Sequence, residues 1–137
     1  MKLEFHHINL VTENVTKLHK FYTEILGLND IPLNFFPRPE ASLTNGYSGQ
    51  IKFATEGKMQ MHIAERDLTV AELNGQKINP VERGHIAFRT DDILAVKAIL
   101  EQSGILYSDY GTTFAKEWYQ IFFNDPDGNV IEIHQKV

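Results

Sequence analysis

Residues His7-Ile8-Asn9-Leu10-Val11-Thr12-Glu13-Asn14-Val15 can be laid without a gap over His85-Ile86-Ala87-Phe88-Arg89-Thr90-Asp91-Asp92-Ile93. The His, the Ile and the Thr are identical. Leu/Phe, Glu/Asp, Asn/Asp and Val/Ile keep their character. In both copies an amphipathic stretch follows and stops at a glycine, Gly27 or Gly104. A chain that repeats itself builds two like units. One unit of about half of 137 residues would hold only a marginal core, so the two must share one. The reading is one domain over residues 1–137, with a first module at 1–66, a linker at 67–83 and a second module at 84–137.

Each copy gives the same local pattern. Phe5 to Thr12 and His85 to Thr90 alternate as short strands. Asn14 is placed to cap a helix over Val15 to Leu26, where Val15, Leu18, Tyr22, Ile25 and Leu26 recur at helical spacing. Asp92 does the same for Ile93 to Ser103. Gly27 and Gly104 suit the left-handed residue that ends a helix. Three strands then follow in each copy, near Leu28–Leu33, Tyr47–Thr55 and Met59–Glu65, and near Leu106–Tyr110, Trp118–Phe123 and Val130–Gln135. Glu56-Gly57-Lys58 and Asp125-Pro126-Asp127-Gly128-Asn129 carry the hairpin chemistry. The fold class is therefore α+β, with two βαβββ modules. Residues 66–84, with Asn74-Gly75 and Pro80, read as a surface linker. The proline- and glycine-rich stretch 31–49 holds Phe35 and Phe36, which either close over a pocket as a lid or pack on the neighbouring module.

Composition narrows the chemistry. The apolar share of 42% is that of a globular protein with a real core. With no cysteine, any metal must sit on imidazole, carboxylate or amide oxygen. A net charge of −5 without a Lys/Arg cluster argues against nucleic acid and against an anionic membrane surface. No apolar run is long enough to span a bilayer, and the N-terminal residues lack a signal-peptide pattern, so a cytoplasmic protein is expected.

Strand alternation assigns the faces. Ile8 and Leu10, and Ile86 and Phe88, should pack against the helices, which turns His7 and Asn9, and His85, Ala87 and Arg89, the other way. Met61 and Ile63 place His62 opposite the helices. Ile131 and Ile133 do the same for Glu132 and His134. The two first-strand positions, His7 and His85, and the two last-strand positions, His62 and Glu132, match across the repeat. Related by an approximate twofold axis, the four converge as a metal site. His6 is expected to face the helices or solvent, and His19 to lie on a surface helix.

These residues, with Leu26-Gly27-Leu28, Gly84-His85-Ile86-Ala87-Phe88 and above all Phe123-Asn124-Asp125-Pro126-Asp127-Gly128-Asn129-Val130-Ile131-Glu132, resemble the vicinal oxygen chelate superfamily. That is the group of glyoxalases, bleomycin-resistance proteins and extradiol dioxygenases, and the resemblance runs nearly the whole chain. It implies sheets curled into an incomplete barrel round a shared cavity, with a divalent metal on His7, His62, His85 and Glu132. Zn, Ni, Mn and Fe all suit such a set. Glyoxalase I usually has a glutamate where this chain has His62. The implied activity is a glyoxalase I-like lyase or isomerase on a small substrate that chelates the metal through neighbouring oxygens, with Glu132 as general base. An extradiol-type dioxygenase and a non-catalytic, bleomycin-resistance-like binding module are the alternatives. Asn9, Arg89 and His134 are the substrate-binding candidates. Asn9 could instead finish the strand's hydrogen bonding, Arg89 lie on the surface, and His134 be exposed at the strand end. Trp118 is read as a core residue or a pocket wall. A homodimer is also implied, and in some relatives the modules pair across chains.

Overall fold

The computed structural model describes residues 1–137. Strands β1 (Leu3–Thr12), β2 (Asn29–Ile31), β3 (Ile51–Thr55), β4 (Gln60–Glu65), β5 (His85–Thr90), β6 (Ser108–Ala115), β7 (Trp118–Asn124) and β8 (Val130–Lys136) form one curled sheet in the order β2-β3-β4-β1-β5-β8-β7-β6. Read outward from the centre, each half has the same order, so the repeat is a twofold in space. β1 and β5 run antiparallel at the centre with Ile8 opposite Ile86, the equivalent residues of the two copies. β1 pairs in parallel with β4, and β5 with β8.

The caps repeat too. The side chain of Asn14 accepts from the Lys17 N–H, and that of Asp92 from the Ala95 N–H, each at 3.0 Å. Asn14 starts α1 (Val15–Lys20), which loosens into a π turn over Phe21–Ile25. Asp92 starts α3 (Ile93–Gln102). Gly27 and Gly104 follow with φ of 74° and 69°, as a helix end requires. None of these helices is long and apolar enough to cross a membrane.

Two expectations about faces need correction. Ile8 and Ile86 do not lie under the helices; they are 44% and 40% exposed. The helices are short and sit over the outer strands, α1 mainly on β3 and β4 and α3 on β8, leaving the middle of the convex face open. Under α3, Ile93, Val96 and Leu100 pack on Ile121 and Ile133. The linker is not wholly superficial either. It carries α2 (Val70–Leu73), and its Val70 and Val81 are buried against Tyr47, Tyr110 and Phe122. Phe36 packs edge-on against Trp118, centroids 4.8 Å apart, which joins the loop of the first module to the second.

Candidate metal centre

Sheet register sets the centre out in rows on the concave face. One row runs Phe53, His62, Asn9, His85 across β3, β4, β1 and β5. The next runs His7, Ala87, Glu132, Phe122 across β1, β5, β8 and β7. A third pairs Arg89, His134 and Gln120. His62 and Glu132 occupy equivalent ladder positions, as the repeat predicts. His7 and Glu132 stand two strands apart, roughly 10 Å between backbones. They meet because the residue between them, Ala87, is small and fully buried.

His7 Nε2 lies 3.6 Å and His85 Nε2 3.1 Å from Glu132 Oε1, and the three ligand atoms fall within 4.8 Å of one another. Metal bonds of about 2.0–2.2 Å to imidazole and carboxylate hold neighbouring ligand atoms roughly 3.0–3.5 Å apart, close to the two imidazole–carboxylate separations here. Proton placement agrees. His85 Nδ1 is 2.9 Å from the Pro80 carbonyl, which can only accept, so Nδ1 carries a proton and Nε2 faces the carboxylate with its lone pair. That contact needs positive charge between the two groups, from a second proton or from a metal ion. An outer carbonyl that fixes the tautomer of a ligating imidazole is a usual feature of metal sites.

His85 is positioned by Gly84, whose φ is 85° and whose missing Cβ would strike the Asn9 carbonyl oxygen. No side chain fits there, which makes Gly84 the tightest backbone requirement of the site.

The fourth expected ligand, His62, is buried on the same cavity wall, but its ring stacks on His7 with centroids 3.6 Å apart. Its Nε2 donates to Gln60 Oε1 at 2.8 Å instead of joining the trio. His6 does not face the helices. The β1–β5 register slips between Phe5 and His7, and this bulge turns His6 to the concave side along with His7. His6 Nδ1 then shares a proton with His7 Nδ1 at 2.9 Å, and its ring meets Trp118 and His134 edge-on. His19 is not a surface residue but is buried, with Nε2 on Asp30 Oδ1 at 2.8 Å and on the Phe53 carbonyl at 3.1 Å.

Of the substrate-binding candidates, Asn9 lines the cavity. His134 is fully buried beside Glu132, and Arg89 lies outside the cavity, with its guanidinium 5.0 Å over the Trp118 ring. Sequence reasoning passed over Gln120, whose Nε2 donates to Glu132 Oε1 at 3.3 Å. Its signal was available: it alternates with Trp118 and Phe122 on a strand next to the Glu132 strand.

The cavity has a free volume of about 40 Å³, room for a few water molecules. Phe36, Tyr47, Phe114 and Phe122 wall its apolar side. Phe36 therefore serves both as wall and as packing on the second module. Asn9 Oδ1 and Gln120 Oε1 are buried without a partner. Two orphaned acceptors in one cavity mark where a ligand with hydrogen-bond donors would sit. Burial alone would raise the Glu132 carboxyl, but the adjoining imidazoles, His7 first, hold it well below the usual range. Burial lowers His7 to about 4 and His6 to about 3, so both are unprotonated at neutral pH. The result is an ionised carboxylate facing nitrogen lone pairs, an arrangement that favours a bound cation.

The family model of the Glyoxalase/Bleomycin resistance protein/Dioxygenase superfamily matches residues 4–133. The chain belongs to that superfamily. No curated protein matches the sequence. Among solved structures, a hypothetical protein from Bacillus halodurans C-125 is similar with a TM-score of 0.71 at 15% identity, covering 100% of this chain and 96% of that one. Methylmalonyl-CoA epimerase from Mycobacterium tuberculosis gives 0.69 at 13%, over 97% and 87%. A glyoxalase/bleomycin resistance protein/dioxygenase superfamily member from Vibrio splendidus 12B01 gives 0.58 at 14%, over 98% and 100%. At such identities the likeness is one of fold.

Proposed function

We propose that the protein is a metal-dependent enzyme of glyoxalase type, a lyase or isomerase acting on a small molecule that presents two neighbouring oxygens. The observation that carries this reading is the convergence of His7 Nε2, His85 Nε2 and Glu132 Oε1 near metal-ligand spacing inside a partly open cavity. A divalent ion held there would supply Lewis-acid polarisation of the substrate oxygens. His7, His85 and Glu132 would hold it, and the unpaired oxygens of Asn9 and Gln120 would accept hydrogen bonds from the substrate. Glu132, as general base, would take the proton from the carbon next to the substrate carbonyl onto Oε1, since Oε2 accepts from His134. No second carboxylate lines the cavity, so the group left to take a proton on the opposite face would be His62, through Nδ1, because its Nε2 donates to Gln60. Methylmalonyl-CoA epimerases are among the proteins that share this fold.

The same trio favours one second reading. Two imidazoles and one carboxylate with open positions form the set associated with non-haem iron and dioxygen, hence an extradiol-type dioxygenase. The reading also includes a cytoplasmic homodimer. Exposed Phe5, Ile8 and Ile86 on the convex face supply an apolar surface for a second copy, and light scattering of the purified protein tests it.

The deciding experiment measures metal content by mass spectrometry on untagged wild type, His85→Ala and Glu132→Ala. The metal-loaded protein is then assayed with a 2-oxoaldehyde plus thiol and with a catechol plus oxygen. About one equivalent of metal per chain, lost in both variants, with thiol-dependent turnover of the oxoaldehyde, supports the lyase or isomerase. Oxygen uptake with the catechol transfers the assignment to the dioxygenase. No metal in wild type and no uptake of Zn²⁺, Ni²⁺, Mn²⁺ or Fe²⁺ defeats both and leaves a binding module.

A further inference from the structure

The outer oxygen of Glu132 is not free. His134 Nδ1 lies 2.6 Å from Glu132 Oε2, and Arg89 Nε lies 3.0 Å from His134 Nε2. An arginine can only donate, so His134 Nε2 must carry a lone pair and the ring proton must sit on Nδ1. The Nδ1–H therefore donates to Glu132 Oε2. Both nitrogens of His134 are in use, which also rules out the nearby His6, His7 and His134 group as a second metal site in this arrangement, close as those rings are. The relay is braced from one side. Trp118 stacks on His134 with centroids 4.4 Å apart and planes 20° apart, and the Arg89 guanidinium covers the Trp118 ring. His134 and Glu132 are both buried, so no solvent competes for the relay's central bond.

We propose that Arg89 and His134 form a positioning relay: Arg89 anchors the His134 ring through Nε2, and His134 pins Glu132 Oε2 through Nδ1–H, so that Oε1 alone is presented to His7, His85 and the metal. The relay itself is independent of the functional reading above, whereas its effect on metal binding rests on it. Without Arg89, nothing holds the His134 ring at Nε2. The ring can then turn about its bond to Glu132 Oε2, and Glu132 loses its fixed orientation. Partners behind metal ligands of this kind are worth roughly 10–100-fold in metal affinity when removed.

The test has two readouts on the full-length protein. Long-range ¹⁵N–¹H spectra of the metal-free protein report the tautomer, and competitive titration with Zn²⁺ reports affinity. Wild type should show His134 protonated on Nδ1 only. Arg89→Met should leave the proton on Nδ1, where the carboxylate holds it, and weaken Zn²⁺ binding by roughly 10–100-fold. His134→Ala should weaken it similarly. His134→Asn, whose amide nitrogen stands where Nδ1 does, should restore most of the loss, a rescue that filling space alone would not give. An Nε2-protonated His134 in wild type overturns the relay. A correct tautomer with unchanged Zn²⁺ affinity in Arg89→Met overturns its positioning role. A wild type that binds no Zn²⁺ removes the metal reading, and the spectra still decide the relay.

Discussion

Ala87 governs whether the two sides of the site meet. Its methyl group lies between His7 and Glu132 in the ladder and is fully buried. Ala87→Leu would push a branched side chain into the gap that the imidazole and the carboxylate cross. We expect Zn²⁺ binding to be lost and the fold to be retained at a cost of about 1–3 kcal/mol, checked by titration and by thermal unfolding of the metal-free variant. His62 gives the opposite expectation. Because its ring stacks on His7 and donates to Gln60, His62→Gln should weaken metal binding far less than His85→Ala does in the same titration. At this scale the sequence was legible where alternation holds. His7, Asn9, His85 and Glu132 face as the pattern says. It was not legible for His6, because a bulge in the pairing with β5 breaks the period of two. Nor did it foretell that His62 would stand behind His7. Ring orientation depends on Gln60 and on the Phe53 ring across the ladder, neither of which strand alternation weighs.

Among the elements, the repeat is clearest at the helix starts. Asn14 and Asp92 make the same bond to the third residue beyond, at the same length, in equivalent places. Each removes one unpaired N–H from the end of a helix that packs on one half of the sheet. Asn14→Ala and Asp92→Ala should each cost about 1 kcal/mol, seen as a lower midpoint in urea with an unchanged slope. The second should matter at least as much, since α3 closes the Ile93, Val96 and Leu100 cluster. Strand β5 was read with its true bounds because Gly84 and the cap before α3 bracket it, one by steric necessity and one by hydrogen bonding. Strand β3 was read too long. The stretch before Ile51 is spoken for by Tyr47, whose hydroxyl donates to the Glu65 carbonyl, and by Arg38, which donates to the Gly49 carbonyl. Those long-range bonds replace a ladder that composition alone would suggest.

For the whole molecule, the buried histidines tie stability to pH. His6, His7 and His62 are all lowered in the folded protein, burial being the leading cause in each. An unfolded chain protonates its imidazoles near pH 6.5. Well above that pH neither state binds the protons, and the full stability is present. Below it the unfolded chain binds protons that the folded protein refuses, so stability falls as pH falls, by up to about 1.4 kcal/mol per pH unit for each group. The loss continues until the folded groups also titrate, near 4 for His7 and 3 for His6. Glu132, held below its ordinary value, adds a further loss beneath about pH 4.5, where the unfolded carboxyl takes up a proton and the folded one does not. The metal-free protein should therefore unfold at steadily lower temperature from pH 7 to pH 4.5. His6→Phe should flatten that slope by about one proton's worth, because its ring sits edge-on to Trp118 in a place an apolar ring can fill. Zn²⁺ should steepen the slope, since lone pairs that hold the ion cannot also hold protons. Melting curves at half-unit intervals, with and without Zn²⁺, check all three statements. A melting temperature that stays level between pH 6.5 and 4.5 would show that these imidazoles are not buried as neutral groups.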